Sequence, residues 1–406
     1  MSVEAPLGAP RRIVCVSDRV PSPSGSGGGL AAHGLGAALA ASGYEVHCVV
    51  TNAPSQWDAS QDDFSVHFVG KSNASDVVDM DQLRAMVVRL SPDVVWVFDT
   101  NSWSMFAPLR KKYPHVLYSL DPEWEIELLR RKWRKPPKDF PRKILYAFRD
   151  WRKVSELREK ERVAFRQAAE FGVAAGFTAS EVPGMRRRTG VDVRVCPLAF
   201  ADWEMRRSVP TDGTPRALLL GNLESVHTRY GLRYFFDEVW PMWKDHKNRP
   251  RSEIRIVGGG RLPEHFDRPP EDARLKWIGF VASIEEEWNE ATALLVPVPL
   301  ENGIRSRIVE AWCRGVPVIS HPGAEAGLPQ MRPGVNYFSA ERPNQWIEAI
   351  CLLEEDHDKA MYLAENGRET YLQEFSAEAG ARRFGGLTEL AIRKFRSPSE
   401  DGKKAL

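Results

Sequence analysis

Residues 293–320, ALLVPVPLENGIRSRIVEAWCRGVPVIS, decide the fold of this chain. The first six residues are apolar, which is typical of a buried parallel strand. A loop at 300–303 is followed by a helical pattern over 304–314, and Gly315 predicts the end of that helix. A second strand is predicted at 316–320. The stretch therefore predicts a strand-loop-helix-strand unit whose loop opens onto a helix N-terminus.

The start of this helix carries a conflict of charge. Helix N-termini expose amide N–H groups and a positive partial charge, yet Arg305 and Arg307 stand in the predicted first turn. An anion beside Gly303, where the backbone can be approached closely, would remove the conflict, and a diphosphate is the obvious candidate. Glu310 lies on the same face and can bind a ribose diol. Composition alone favours the alternative, a surface helix with a Glu310–Arg314 ion pair.

The same residues resemble the nucleotide-sugar signature of the family-4 (group 1) retaining glycosyltransferases of the GT-B fold. One branch of that family has the pattern G-S-G-I-R-x-K-x-x-E-A followed by G-x-P-V-V-S. Here residues 301–311 read ENGIRSRIVEA and residues 315–320 read GVPVIS.

The resemblance implies a role for each matching residue. The amides of Gly303 and Ile304 would meet the diphosphate, and Glu310 would hold the ribose. Arg305 and Arg307 would stabilise the charge of the leaving group, without a required metal.

Two residues depart from the family pattern. Arg307 replaces the usual Lys, which keeps the charge but changes its geometry. Asn302 replaces a glutamate that contacts the donor sugar in many relatives, so the identity of the sugar stays open.

Composition limits the range of functions. A chain of 406 residues suits two domains, and its 43% apolar and 27% charged residues are typical of a soluble globular protein. A net charge of +1 excludes a whole-molecule nucleic-acid binder. The five cysteines show no metal-ligand spacing and indicate a reducing compartment. We therefore expect no metal or cofactor, no membrane span and no signal peptide, and a cytoplasmic location.

The first half shows the alternation of strands and helices expected of a doubly wound domain. Three glycines precede an Ala-rich helix that follows the first apolar strand. A flexible loop and a ligand site are both consistent with them, and the resemblance implies a site at Gly28 and Gly29. His33 either faces a cleft or packs inside the helix layer. Asp121 follows a later predicted strand and either binds and activates the acceptor or caps a helix.

Residues 130–153, RRKWRKPPKDFPRKILYAFRDWRK, contain eleven basic residues and two acidic ones, with aromatic residues between them. This composition favours peripheral contact with an anionic membrane surface, and a lipid-linked acceptor would agree with it. A nucleic-acid contact is the weaker alternative, and a solvated face with buried aromatic side chains is another. A charged helix is predicted to follow at 155–169.

The second half carries further segments that resemble the family. Asn222 and Arg229 follow the strand at 217–220, where relatives bind phosphate or sugar. Phe280 and Val281 match a segment that borders the nucleobase. These residues are predicted to bind the donor.

The sequence as a whole predicts an α/β protein of the GT-B type, with two doubly wound Rossmann-like domains facing across a cleft. The predicted divisions are a disordered start at 1–10, an N-terminal acceptor-side domain at 11–200, a linker at 201–215, a nucleotide-sugar-binding domain at 216–375, a helix crossing back to the first domain at 376–395, and a disordered tail at 396–406.

The predicted activity is transfer of a sugar from a nucleotide-diphosphate donor to a hydroxyl acceptor, with no nucleic-acid partner. Two alternatives stay open. A nucleotide-sugar epimerase on the same fold would need further acids or histidines in the cleft. A non-catalytic protein that binds a nucleotide sugar or a membrane would agree with Asn302 in place of the usual acid.

Overall fold

The structure, a computed structural model, describes residues 11–22, 27–51, 64–69, 79–119, 122–132, 139–200, 202–203, 212–245, 250–261 and 272–397. The predicted disordered start at 1–10 lies outside the described residues. So do Asp121, most of the predicted linker and the tail beyond residue 397.

The described part of the N-terminal half contains one parallel sheet, in the order β3-β2-β1-β4-β5-β6-β7. Its central strands are buried on both faces, as their continuous apolar sequences predict. The strands are β1 Arg12–Ser17, β2 Glu45–Val50, β3 Ser65–Phe68, β4 Val94–Phe98, β5 His115–Ser119, β6 Val173–Gly176 and β7 Val193–Val195.

Helices cover this first sheet. They are α1 Gly27–Ala41, α2 Met80–Leu90, α3 Asp99–Phe106, α4 Glu123–Arg131, α5 Phe140–Phe171 and α6 Val182–Thr189. Two of them differ from the prediction. The glycines at 27–29 form the first turn of α1 rather than a loop before it. Helix α5 begins at Phe140 rather than Ser155, so much of the basic aromatic segment is helical.

The described part of the C-terminal half contains a second parallel sheet, in the order β10-β9-β8-β11-β12-β13. Its strands are β8 Arg216–Leu220, β9 Glu253–Val257, β10 Leu275–Gly279, β11 Ala293–Val296, β12 Val318–Ser320 and β13 Phe338–Ser339. Both sheets have the strand order of a doubly wound fold, which confirms the predicted α/β class.

The helices of the C-terminal half are α7 Val226–Tyr234, α8 Trp240–Asp245, α9 Glu285–Glu290, α10 Ser306–Arg314, α11 Pro343–Glu355, α12 His357–Glu374 and α13 Ala377–Arg396. A π-helical turn at Phe235–Val239 joins α7 to α8, and a 3-10 turn covers Pro322–Ala326. Among the described helices, none is both long enough and apolar enough to cross a membrane.

The unit β11-α10-β12 forms as its sequence predicts. Gly315 ends α10 in the left-handed conformation, with φ of 71°. Trp312 is fully buried, and its indole N–H donates to Asn336 O at 2.8 Å. Helix α10 begins at Ser306, so Gly303 and Ile304 lie in the loop before it.

The last helix packs on the N-terminal half. A Cβ atom placed on Gly380 in α13 would lie 3.2 Å from Ala38 Cβ in α1, so the two helices are in close contact. Trp96 in β4 donates its indole N–H to Thr388 Oγ1 at 3.1 Å. Phe200 N–H donates to Phe375 O at 2.9 Å, so the chain segments that leave and re-enter the N-terminal half touch each other.

Candidate active site

Two helix N-termini meet between the halves of the molecule. Helix α1 follows β1, and α10 follows β11; both strands lie at the point where the order of their sheet reverses. Ligands of open α/β sheets bind at such points. A Cβ atom placed on Gly27 would lie 3.1 Å from Ser306 Oγ. The positive ends of two helices therefore face the same space, which suits an anion.

The loop before α10 is held in shape by a buried guanidinium. Arg305 is only 7% exposed and donates to Leu300 O and Asn302 O, each at 2.8 Å. Gly303 has φ of 70°, a conformation that favours glycine. A Cβ atom on Gly327 would lie 2.1 Å from Gly303 O, so the neighbouring turn packs directly on the loop. These hydrogen bonds of Arg305 shape the loop, whereas the sequence predicted that Arg305 stabilises the charge of the diphosphate.

The backbone N–H of Gly303, predicted to bind a phosphate, donates to Glu181 Oε1 at 2.8 Å. Glu181 immediately precedes α6, in the N-terminal half. A carboxylate of one half thus binds the loop of the other half. No feature of the local sequence indicated this contact, because the two residues are 122 positions apart.

Arg307 and Glu310 interact with each other on α10. Arg307 Nη1 donates to Glu310 Oε2, and Trp288 Nε1 donates to Glu310 Oε1 at 2.9 Å. Arg314 Nε lies 3.8 Å from the same Oε1 atom. The Glu310 side chain is 1% exposed, whereas Arg307 keeps 25% of its side chain exposed. The buried carboxylate is therefore held by protein donors, and Arg307 is the member of the group that reaches the surface.

Asn302 lies beside a histidine that the sequence analysis did not select. His227, in the first turn of α7, has its pKa lowered to about 3. Burial is the main cause, and the charge of Arg305 adds to it, while a hydrogen bond with Asn302 acts in the opposite direction. His227 is therefore neutral at physiological pH and can serve the loop only as a neutral hydrogen-bonding group.

The residues predicted to bind the donor in the second half follow the carboxyl ends of strands β8 and β10. Asn222 Oδ1 accepts from Glu224 N at 2.8 Å, which forms a tight turn after β8. Arg229 donates to Leu223 O at 2.8 Å, so its guanidinium supports the same turn. Phe280 follows β10 and is 79% exposed. Val281 is half-buried beside it.

The N-terminal residues predicted for the site have different surroundings. A Cβ atom on Gly28 would lie 3.4 Å from the Arg19 side chain, and Gly29 O accepts from Ser22 N at 3.1 Å. His33 is buried, and its ring packs edge-on against Phe64 at 5.6 Å between centroids. Of the two predicted positions for His33, the structure shows the one inside the helix layer.

A cavity of about 360 Å³ lies between the halves, beside the loop. It is lined by Glu125, Ser180, Glu181, Gly184, Arg187, Arg188, Glu301 and Asn302. Burial raises the pKa of Glu125, and the nearby charge of Glu181 raises it further. The sequence analysis did not select Glu125 or Glu181 for the site.

The described residues contain no group of three or more His, Cys, Asp or Glu side chains placed to hold a metal ion. Positive charge beside the loop comes from arginine side chains and helix N-termini.

Two family profiles match this chain. The family described as Glycosyl transferases group 1 matches residues 214–356, and the family described as Glycosyl transferase 4-like matches residues 34–121. Together these two matches cover more than half of the chain. No curated protein matches it in sequence.

Solved structures share the architecture over nearly the whole chain. A sucrose-phosphate synthase from Thermosynechococcus elongatus is 15% identical, with a TM-score of 0.66 over 94% of this chain and 99% of the other. Anabaena HepE in complex with UDP-glucose is 14% identical, with a TM-score of 0.64 over 93% and 99%. A glycosyltransferase from Rickettsia africae ESF-5 is 12% identical, with a TM-score of 0.61 over 95% and 99%. These likenesses confirm the predicted GT-B fold.

Proposed function

Because the chain belongs to the group 1 glycosyl transferases of the GT-B fold, we propose that it transfers a sugar from a nucleotide-diphosphate donor to a hydroxyl group of an acceptor. The single observation that carries this proposal is the convergence of α1 and α10 on one space, with the loop at 300–305, just before α10, at its edge. Complexes of Anabaena HepE with UDP and with UDP-glucose support a nucleotide sugar as the donor.

The diphosphate is placed at the loop by backbone and charge together. The amides of Gly303 and Ile304 donate to it, and Arg307 neutralises part of its charge. Arg305 keeps the loop carbonyls turned toward its own guanidinium, and the Gly303 amide faces the other way, where Glu181 now accepts its hydrogen bond. This arrangement stabilises the nucleoside diphosphate as it leaves with the electrons of the broken bond to the sugar.

The ribose is placed at Glu310. A ribose diol can supply hydrogen bonds to Glu310 Oε2 in exchange for the contact from Arg307. The same exchange turns Arg307 Nη1 from Glu310 toward the diphosphate. Trp288 and Arg314 keep the other oxygen of Glu310 in place during the exchange. Retention of configuration at the sugar is part of the proposal, carried by the family resemblance.

The test is incubation of the full chain with UDP-, GDP-, ADP- and dTDP-sugars, with detection of free nucleoside diphosphate and of every sugar nucleotide formed. We expect at least one donor to release its nucleoside diphosphate. An isomerised sugar nucleotide without release would indicate the epimerase instead. Binding of a donor without turnover would indicate a non-catalytic protein.

We also propose that the acceptor is lipid-linked and that the start of α5 contacts an anionic membrane. Ile144, Leu145, Phe148 and Trp151 are each more than half exposed. Residues 144, 148 and 151 repeat at helical spacing, so they share one face. Exposed basic residues flank that face, among them Arg142 and Arg152. Each basic residue near an anionic surface contributes about 1 kcal/mol of attraction.

Flotation with phosphatidylglycerol vesicles tests this membrane contact. We expect the chain to float with these vesicles and not with neutral phosphatidylcholine vesicles. A triple variant with Ile144→Ser, Phe148→Ser and Trp151→Ser should stay in the bottom fraction. Val163→Ser, on an exposed position further along the same helix, is the matched control and should float normally. Equal flotation of the triple variant would remove this surface from the proposal.

A further inference from the structure

We propose that Glu181 has two partners in turn: its carboxylate competes with the donor diphosphate for the Gly303 N–H and, once displaced, binds the acceptor hydroxyl. The inference rests on the proposed function, because it requires a nucleotide-diphosphate donor. It adds a residue of the N-terminal half that orders the binding of the two substrates.

The Glu181 carboxylate occupies the Gly303 N–H in the way that a phosphate would. Glu181 Oε1 accepts from Gly303 N at 2.8 Å. A carboxylate and a phosphate bind backbone amides through the same charge-assisted hydrogen bond. One N–H cannot donate fully to both, so a diphosphate that binds Gly303 must displace Glu181. The contact therefore acts as an internal anion at the place proposed for the donor.

The other oxygen of the Glu181 carboxylate, Oε2, has different surroundings. Glu181 Oε2 is buried and has no hydrogen-bond partner within the part of the chain that the structure describes. Buried carboxylate oxygens normally accept at least one hydrogen bond, so this carboxylate is only half satisfied where it lies. A movement that provides both oxygens with donors is favourable, which makes displacement by a diphosphate easier.

The cavity between the halves lies where a displaced Glu181 carboxylate could meet an acceptor. Glu181 lines the 360 Å³ cavity between the halves, together with Asn302 and Glu125. The volume lies within the range of small-molecule sites. Asn302 stands where many relatives contact the donor sugar, so the cavity borders the proposed position of that sugar. Carboxylates accept hydrogen bonds from hydroxyl groups, and the displaced Glu181 carboxylate would face this cavity.

The two roles predict an unusual pair of effects on one variant. Removal of the Glu181 carboxylate takes away a competitor of the diphosphate and a ligand of the acceptor. Donor binding should then become tighter while transfer becomes slower. A residue that only supports the loop would show the opposite for the donor, because its loss would weaken donor binding as well.

The experiment uses the full chain and the variants Glu181→Ala and Glu181→Gln. Calorimetric titration with UDP and with GDP gives the Kd, and release of the nucleoside diphosphate from the best sugar donor gives the rate of hydrolysis, in which water takes the acceptor's place. For Glu181→Ala we expect a Kd about three- to tenfold lower than that of the wild type. We expect the hydrolysis rate to fall about tenfold.

Glu159→Ala is the matched control. Glu159 carries the same charge in the same half of the molecule, on an exposed position of α5, so this variant measures the general effect of a lost charge, and its Kd should stay within twofold of the wild-type value. Thermal melting shows which variants fold, and Glu181→Gln keeps the test valid if Glu181→Ala does not. An unchanged or higher Kd in the folded Glu181 variants would overturn the inference. Failure of every form to bind either nucleotide would remove the proposed function itself.

Discussion

The two helices that meet across the cleft begin in different ways. Helix α1 starts with three glycines, so its first turn offers backbone and no side chains. Helix α10 follows a loop that a buried arginine holds, and its first turn carries Arg307. Both helices follow the strand at the switch point of their sheet. The C-terminal half therefore contributes positive charge to the space between the two helices, whereas the N-terminal half contributes backbone that a ligand can approach closely. We expect substitutions on the α10 side to have the larger effects.

The largest effect is expected for Arg305→Ala. Its buried guanidinium donates to the loop carbonyls of Leu300, Asn302 and Gly303, and the variant removes all three hydrogen bonds. We expect the free energy of unfolding to fall by about 3 kcal/mol and donor turnover to fall about 10³-fold. Chemical denaturation and turnover assays measure the two effects. Arg305→Lys should recover only part of either, because one ammonium does not match the fork of a guanidinium. Unchanged unfolding of the Ala variant would contradict the role given to Arg305.

Arg307→Ala should have the next largest effect, on turnover rather than on folding. The variant removes the charge proposed to stabilise the leaving diphosphate, so turnover should fall about 10²-fold. Trp288 and Arg314 still hold Glu310, so the free energy of unfolding should fall by only about 1 kcal/mol. Arg233→Ala, on an exposed arginine of α7, is the control and should turn over normally. Near-normal turnover in Arg307→Ala would refute its assignment.

Gly27→Ala tests whether donor binding depends on the close approach of the N-termini of α1 and α10. The added methyl group would lie 3.1 Å from Ser306 Oγ and should push the two helix ends apart by a few tenths of an ångström. We expect donor Kd to rise about three- to fivefold, which corresponds to less than 1.4 kcal/mol. The fold should not lose stability, since Ala is the better helix former. Adding Ser306→Ala should restore part of the affinity. A Gly27→Ala variant with wild-type Kd would show that the helix ends do not act together.

The smallest effect at neutral pH is expected for His227, which lies beside the loop of the α10 side. Its pKa in the folded chain, about 3, is lower than in the unfolded chain. The unfolded chain therefore binds the extra proton first, and stability is lost as the pH falls from about 6.5 toward 3, by at most about 1.4 kcal/mol per pH unit.

Denaturation at a series of pH values checks this prediction. His227→Gln should flatten the acid side of the stability profile and leave the free energy of unfolding at pH 7.5 nearly unchanged. His357→Gln, on an exposed position of α12, should leave the whole profile as it is. A His227→Gln profile identical to that of the wild type would contradict the prediction.

Local signals in the sequence were sufficient for much of the fold. The apolar runs predicted the central strands, and Gly315 predicted the end of α10. Each of these depends on residues a few positions apart. The order of strands in the two sheets then follows the usual rules for parallel sheets with helical connections.

The prediction was less accurate where exposed and apolar residues mix. Helix α5 begins fifteen residues before the predicted start at Ser155, because its exposed apolar side chains interrupt the usual amphipathic pattern. Helix α10 begins two residues after its predicted start, because Gly303 turns the chain into the left-handed region first.

The partners of the site residues could not be predicted from the sequence. Neither the Glu181–Gly303 contact nor the surroundings of His227 has a local signal. Two arginines two positions apart also have different surroundings: Arg305 turns inward to the loop, while Arg307 reaches the surface. Arg305 precedes α10, in the loop on which the neighbouring turn packs, whereas Arg307 lies in the first turn of the helix.

The hydrogen bond between Phe200 and Phe375 has a consequence for how substrates can enter and leave. The chain joins its two halves at two crossings, and this bond fastens the crossings to each other. An opening of the cleft that keeps this bond would pivot about the two crossings. The mouth of the cleft would widen most at the side farthest from the pivot, and products would depart from that side.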